Sequence, residues 1–257
     1  MPRYVVDVRY NGTNYAGWQI QDNIVTVQSE VDAALTKVLR APIFTYGAGR
    51  TDSGVHAMQL PAHFDFEGEI PRHFMLGVNA ILPRDISITK IYRAVEDSFH
   101  TRFHATERAY RYHLIFFKDP IRFGFVRWVK EKVDIQKMQE AAAVFMEYDS
   151  FESFCKSNSN NKTYFCKIKE SRFEWEGEIL VYHIRADRFL RGMVRAIMGT
   201  LLLVGRGLLT VDDVRRIIEA KDRKHKGPTE LAAGLYLSEV VFPEGTLVDI
   251  TNEAMTD

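Results

Sequence analysis

The chain of 257 residues has only two cysteines, Cys155 and Cys166. That excludes a disulfide framework and the paired spacing of a zinc ribbon or finger. It has no apolar run long enough to span a bilayer, because the longest candidate, Phe189 to Leu209, is broken by Arg191, Arg195 and Arg206. The N-terminal stretch from Met1 to Asp7 lacks the apolar core of a signal peptide, so a cytoplasmic location is expected. Neither sign of charge is in excess, with 34 basic and 34 acidic residues. Low-complexity tracts and short-period repeats are missing, which excludes solenoids and whole-chain disorder. What remains is the composition of an ordinary globular protein, 46% hydrophobic and 26% charged, long enough for one large domain or two small ones.

The balanced charge is unevenly placed. Lys118, Arg122, Arg127, Lys130 and Lys132 are interleaved with Phe123, Phe125 and Trp128, and a second basic cluster runs from Lys221 to Lys226. Acidic residues gather at Glu174 to Glu178 and toward the C-terminus. Basic faces on a neutral protein suit a polyanion that is bound and then released. Solvated surface accounts for the same clusters.

Periodicity gives two halves of similar plan, 1–105 and 106–257. In the first, Tyr4, Val6, Val8 and Tyr10 alternate as one face of a half-buried strand, turned by Asn11-Gly12-Thr13. Val27, Val31, Leu35 and Val38 follow at helical spacing with Thr26 as cap. Ile43 to Tyr46 and Gln59 to Phe66 read as strands flanking a loop from Gly47 to His56. In the second half, Ala109 to Phe117 reads as a strand, and Asp134 caps a helix through Met138 and Phe145. Glu170 to Ala186 reads as a hairpin turning near Gly177. Leu190, Val194, Ile197 and Leu201 form one apolar helix face, Thr210 starts a further helix, and Leu235 to Phe242 closes the chain as a strand. Interleaved strands, hairpins and helices predict an α+β fold with a mixed, largely antiparallel sheet.

The loop Gly47 to His56 is the most unusual segment. Gly49 to Gly54 has the Walker spacing, but Val55-His56 replaces the Lys-Ser/Thr pair that a phosphate loop requires. The dinucleotide fingerprint is also absent. A carboxylate, Asp52, stands among glycines two residues from the guanidinium of Arg50. A nearby cation keeps a carboxylate ionised, and an ionised, positioned carboxylate serves as nucleophile or base. A turn-capping Asp52 beside a surface Arg50 is the alternative.

These residues resemble a known family. Gly49-Arg50-Thr51-Asp52-Ser53-Gly54-Val55-His56 is similar to the signature of the tRNA pseudouridine synthase A family. Tyr10 to Thr13 with Gly17-Trp18-Gln19, Asn79 to Ile86, Phe99 to Phe103, Arg108 to Tyr112, Ala186 to Arg195 and Ala232 to Leu237 resemble its further motifs, in order. Departures are Asn11, Asp187 and Leu231, where the family commonly has Asp, Asn and Pro, and the poorly matching segment 155–166.

The resemblance implies a fold of two similar α/β halves around an active-site cleft. It implies an isomerase that converts uridine to pseudouridine at positions 38, 39 and 40 of the tRNA anticodon stem-loop. Asp52 matches the family's catalytic aspartate, and Tyr110 its active-site tyrosine, a stacking platform for the uracil. Arg195 matches the partner of the aspartate, while Arg50 and Arg191 are implied as substrate contacts. No cofactor or metal is implied, and the family acts as a homodimer. Read from residues alone, Tyr110 is equally a core aromatic. Arg188, Arg191 and Arg195 share a helical face by spacing, and would equally reach solvent or phosphate. His100 and His104 have i, i+4 spacing but lack a third ligand nearby. The rival classes are a non-catalytic RNA-binding or RNA-chaperone protein and a phosphate-cleaving enzyme. The first leaves an acidic residue in the glycine loop unexplained.

Overall fold

The computed structural model describes residues 1–156 and 163–255. The chain forms two compact units, Met1–Thr106 with Tyr236–Asp257, and Glu107–Leu235. The first unit opens with β1 (Arg3–Tyr10), α1 (Val27–Leu39), β2 (Tyr46–Gly47), β3 (His56–Asp65), α2 (Phe74–Ile81), β4 (Ile86–Ala94) and α3 (Thr101–His104). The second contains β5 (Glu107–Ile115), β6 (Arg127–Trp128), α4 (Ile135–Val144), β7 (Ile168–Glu176), β8 (Ile179–Ala186), α5 (Met193–Gly205) and α6 (Val211–Glu219). β9 (Leu235–Val241) and β10 (Leu247–Asp249) follow. The fold is α+β and its strand pairing mostly antiparallel, as expected, with β3–β9 and β5–β6 parallel.

The expected half 106–257 loses its end to the first unit. β9 pairs with β3 through His56↔Tyr236 and Ala57↔Leu237, and β10 pairs with β4. Strand pairing, not chain proximity, decides the membership of these residues. Strand order in the first unit is β10-β4-β1-β3-β9, with β2 on β3. In the second it is β5-β8-β7, with β6 on β5.

Local signals place several elements as predicted. Thr26 and Ser29 form a reciprocal capping box at α1, and Thr210 and Asp213 another at α6. Asp134 caps α4 by accepting the Lys137 N–H, and Gly177, at φ +61°, turns the β7–β8 hairpin. Two expectations fail. β1 is not half-buried: Val5 packs on Ala94 and Phe99 on its second face, where Asp7 is also buried. Asp7 keeps hydrogen bonds from Gln59 and Tyr92, while burial pushes its carboxyl above the usual range. Ile43 to Thr45 is not strand, because side chains of α1 capture its backbone. Thr36 accepts the Ile43 N–H, Asp32 accepts the Thr45 N–H and hydroxyl, and Gln28 donates to the Thr45 carbonyl. Burial pushes the Asp32 carboxyl up to about 6 against those two Thr45 bonds. No helix among the described residues is long and apolar enough to cross a membrane.

His63 on β3 gives the first unit a pH-dependent stability. Its ring is 2% exposed, stacks on Tyr46 at 5.1 Å, and sets Nδ1 2.9 Å from the Thr101 hydroxyl. Burial, then the Arg3 and His100 charges, push its pKa down from 6.5 to about 4. The unfolded imidazole therefore protonates before the folded one. Stability is expected to fall as pH drops from 6.5 to about 4, by up to about 3 kcal/mol. Melting curves across that range should flatten in His63→Gln, and an unchanged slope would assign the loss elsewhere.

Candidate active site

Asp52 lies in the loop between β2 and β3, half-buried between buried Thr51 and exposed Ser53. The loop is held by the segment that follows β1. The hydroxyls of Tyr10 and Thr51 are 2.7 Å apart, Trp18 N–H donates to the Thr51 carbonyl at 3.3 Å, and Gly54 N–H and the Ser53 hydroxyl both donate to the Tyr15 carbonyl. The Val55 N–H closes the turn on the Asp52 carbonyl at 3.1 Å, with Gly54 at φ +78°.

Glycine is required where the two segments meet. A Cβ on Gly12 would stand 2.0 Å from the Val55 carbonyl oxygen. One on Gly17, at φ +97°, would stand 2.3 Å from that of Thr51. His56 backs the loop: 1% exposed, it accepts the Gly12 N–H and stacks on Tyr236 at 4.7 Å. Asp85 anchors the cradle from outside, accepting the Tyr15 hydroxyl at 2.6 Å and, through its carbonyl, the Asn11 N–H at 2.9 Å. Three motifs of the sequence thus converge on one carboxylate. The arrangement fixes the backbone on both sides of Asp52, which suits a group that must meet a reacting atom without reorganising. Arg50 is exposed on the same loop.

In the second unit, Tyr110 on β5 is opposite Ile184 on β8, half-buried and edge-on to Phe189 at 5.1 Å and 89°. The core tyrosine of this strand is instead Tyr112, fully buried, with its hydroxyl donating to the Leu231 carbonyl. Arg195 is half-buried in the first turn of α5, and its Nε donates to the Glu230 carbonyl at 2.6 Å. The shared helical face expected for Arg188, Arg191 and Arg195 does not form. Gly192 precedes α5 in the left-handed region at φ +72°, so Arg188 and Arg191 lie ahead of the helix. Arg191 is exposed, and its carbonyl accepts the Lys156 N–H.

The departures from the family pattern have local partners. Asn11 accepts the Thr13 N–H and hydroxyl, capping the short turn Gly12–Asn14. Asp187 accepts the Lys167 and Arg188 N–H groups. Cys155 and Cys166 are buried and unbridged, while residues 157–162 of the poorly matching segment lie outside the described residues. His100 and His104 each accept a backbone N–H through Nδ1, from Arg102 and His100. Among the described residues no group of three His, Cys, Asp or Glu is placed to hold a metal ion. Sequence reasoning missed two residues. Asp85 stood only within a quoted motif, and Glu230, a buried carboxylate, carries no local signal at all.

Comparison with known proteins extends the motif match. The family model described as tRNA pseudouridine synthase matches residues 141–243. The tRNA pseudouridine synthase A of Parabacteroides distasonis is 46% identical over 246 residues, covering 95% of this chain and 97% of the relative. That of Bacteroides fragilis is 44% identical, covering 94% and 97%. That of Acinetobacter baumannii is 39% identical, covering 95% and 93%. Relatives at this level of identity match nearly the whole length of the chain, and the chain belongs to the tRNA pseudouridine synthase A family.

Proposed function

We propose that this protein isomerises uridine to pseudouridine in the tRNA anticodon stem-loop, at positions 38, 39 and 40, with Asp52 as nucleophile. Family membership supports the reaction and the tRNA substrate. The observation that carries the assignment to Asp52 is its loop, whose backbone is held from both sides by Tyr10, Tyr15 and Trp18 while Asp52 itself is half-buried.

The isomerisation breaks the C1′–N1 bond of uridine and forms a C1′–C5 bond. C5 loses its proton and N1 gains one, so atoms and electrons balance without a redox partner. The base must first leave its stack, which costs a few kcal/mol and is easiest in a loop or at the end of a stem. The Asp52 carboxylate then attacks C1′ or removes a sugar proton. Tyr110 stacks on the extruded uracil, and its hydroxyl takes part in removing the C5 proton. Arg195 stabilises the Asp52 carboxylate, and Arg50 and Arg191 contact the RNA. The same reading places the protein in the cytoplasm as a homodimer.

Pseudouridine has the mass of uridine, so the test follows the C5 hydrogen. Transcripts carrying uridine tritiated at C5 are expected to release tritium when uridine stands at 38, 39 or 40, and to release none when those positions are cytidine. Binding without release from any tRNA would leave an RNA-binding protein. Release that ignores these three positions would move the site on the tRNA.

A further inference from the structure

We propose that Glu230 is a positioning residue that aims the Arg195 guanidinium through an ion pair with Arg127. The inference rests on the reading of Arg195 given above and assigns the device that holds it.

Glu230 is 8% exposed, and a carboxylate so placed must be paired. Its Oε2 accepts Arg127 Nε at 2.7 Å, with side chains 10% and 21% exposed. The backbone of the same residue brackets Arg195 from both sides. Glu230 N–H donates to the Arg195 carbonyl at 3.1 Å, and Arg195 Nε donates to the Glu230 carbonyl at 2.6 Å. Fixing Nε fixes the plane of a guanidinium, and so the directions of its two terminal nitrogens. Any shift of residue 230 along the chain therefore turns the Arg195 fork.

The segment around Glu230 has few other means of holding its place. It belongs to no helix or strand. It is seated on α5 where a Cβ on Gly199 would meet the Pro228 carbonyl oxygen at 1.8 Å, and where Gly227 N–H donates to Thr200 Oγ1 at 3.0 Å. At its other end the Leu231 carbonyl accepts the Tyr112 hydroxyl. Between these points Thr229 Oγ1 accepts Lys226 Nζ within the segment, and among the described residues the side-chain bond that ties it to another element is the Glu230–Arg127 pair. Arg127 sits on β6, paired with Leu114 of β5, the strand that carries Tyr110. One ion pair thus ties the residue bracketing Arg195 to the strand of Tyr110, and holds both groups to a common frame.

The test separates aim from stability. In Glu230→Ala, kcat per folded enzyme is expected to fall on the order of 10- to 100-fold, the cost of a small misplacement, with KM for tRNA within about twofold. Glu230→Gln, which keeps an acceptor for Arg127, should recover part of the loss. Glu230→Ala leaves the half-buried Arg127 without its carboxylate, so the double variant Arg127→Met with Glu230→Leu guards against failure to fold. It is expected to fold and to show the same fall in kcat. Wild-type kcat in this folded double variant, or a loss carried through KM, would overturn the proposal. Arg195→Lys supplies the control: if it too turned over at the wild-type rate, the role of Arg195 itself would fail. If it were inactive while the double variant was fully active, only the Glu230 proposal would fail.

Discussion

Asp52→Asn is expected to lower tritium release by at least about 10⁴-fold, the scale seen when a nucleophile or its obligatory partner is removed. tRNA affinity should change by less than about threefold, because one carboxylate among many phosphate contacts makes a small electrostatic contribution to binding. The carboxamide has the shape of the carboxylate and lacks its nucleophilicity and basicity. The loop should keep its form, because the bonds described for its cradle use the Thr51 carbonyl and hydroxyl, the Ser53 hydroxyl, the Gly54 N–H and the Asp52 carbonyl. Melting temperature and tRNA binding therefore report an intact protein, and the C5 assay reports the lost step. Turnover equal to wild type would remove Asp52 from the chemistry and return it to the role of a turn residue.

Tyr110→Phe should lower kcat by about 10²-fold or more, the usual contribution of a positioned acid or base, and leave KM nearly unchanged. The variant deletes one oxygen and keeps the ring, so stacking on the uracil and the edge contact with Phe189 both survive. Tyr110→Ala removes the ring as well and should weaken tRNA binding by a further ~1–3 kcal/mol. Single-turnover release under saturating enzyme separates the two effects. A wild-type rate in Tyr110→Phe would exclude the hydroxyl from C5 deprotonation while leaving the platform in place. Because Tyr112, and not Tyr110, is the buried tyrosine of β5, neither variant should unfold the second unit.

The legible parts of the fold are those whose cause is local. Thr26, Asp134 and Thr210 announce their helices because a cap is a bond between residues three apart. Gly177 announces its hairpin because a positive φ favours glycine. β4 gave no reading. Its pairing with β1 shifts between Asp7↔Lys90 and Val8↔Ile88, so Thr89 interrupts the alternation of Ile86, Ile88 and Ile91. α2 follows His73, which stands at φ +61° and caps the helix with no side-chain bond, so its start carries no signal. The strand expected from Ile43 to Tyr46 is confined to its end at Tyr46, because its β-branched composition competes with the polar side chains of α1, a contest settled only when the helix is in place.

The sequence by itself determined the chemistry on offer: a carboxylate among glycines, a tyrosine and an arginine in ordered motifs, and a balanced charge with basic clusters. Those features are residue types at fixed spacing, and spacing is written in the chain. Tertiary structure decided which groups are held and by what. It set Gly12 and Gly17 against the Asp52 loop, returned β9 and β10 to the first unit, buried Tyr112 in place of Tyr110, and put the Glu230 backbone around Arg195. Each of these joins residues far apart in the chain, and the energy of such a contact exists only once both partners have been brought together and desolvated. No window of sequence contains both sides of that interaction.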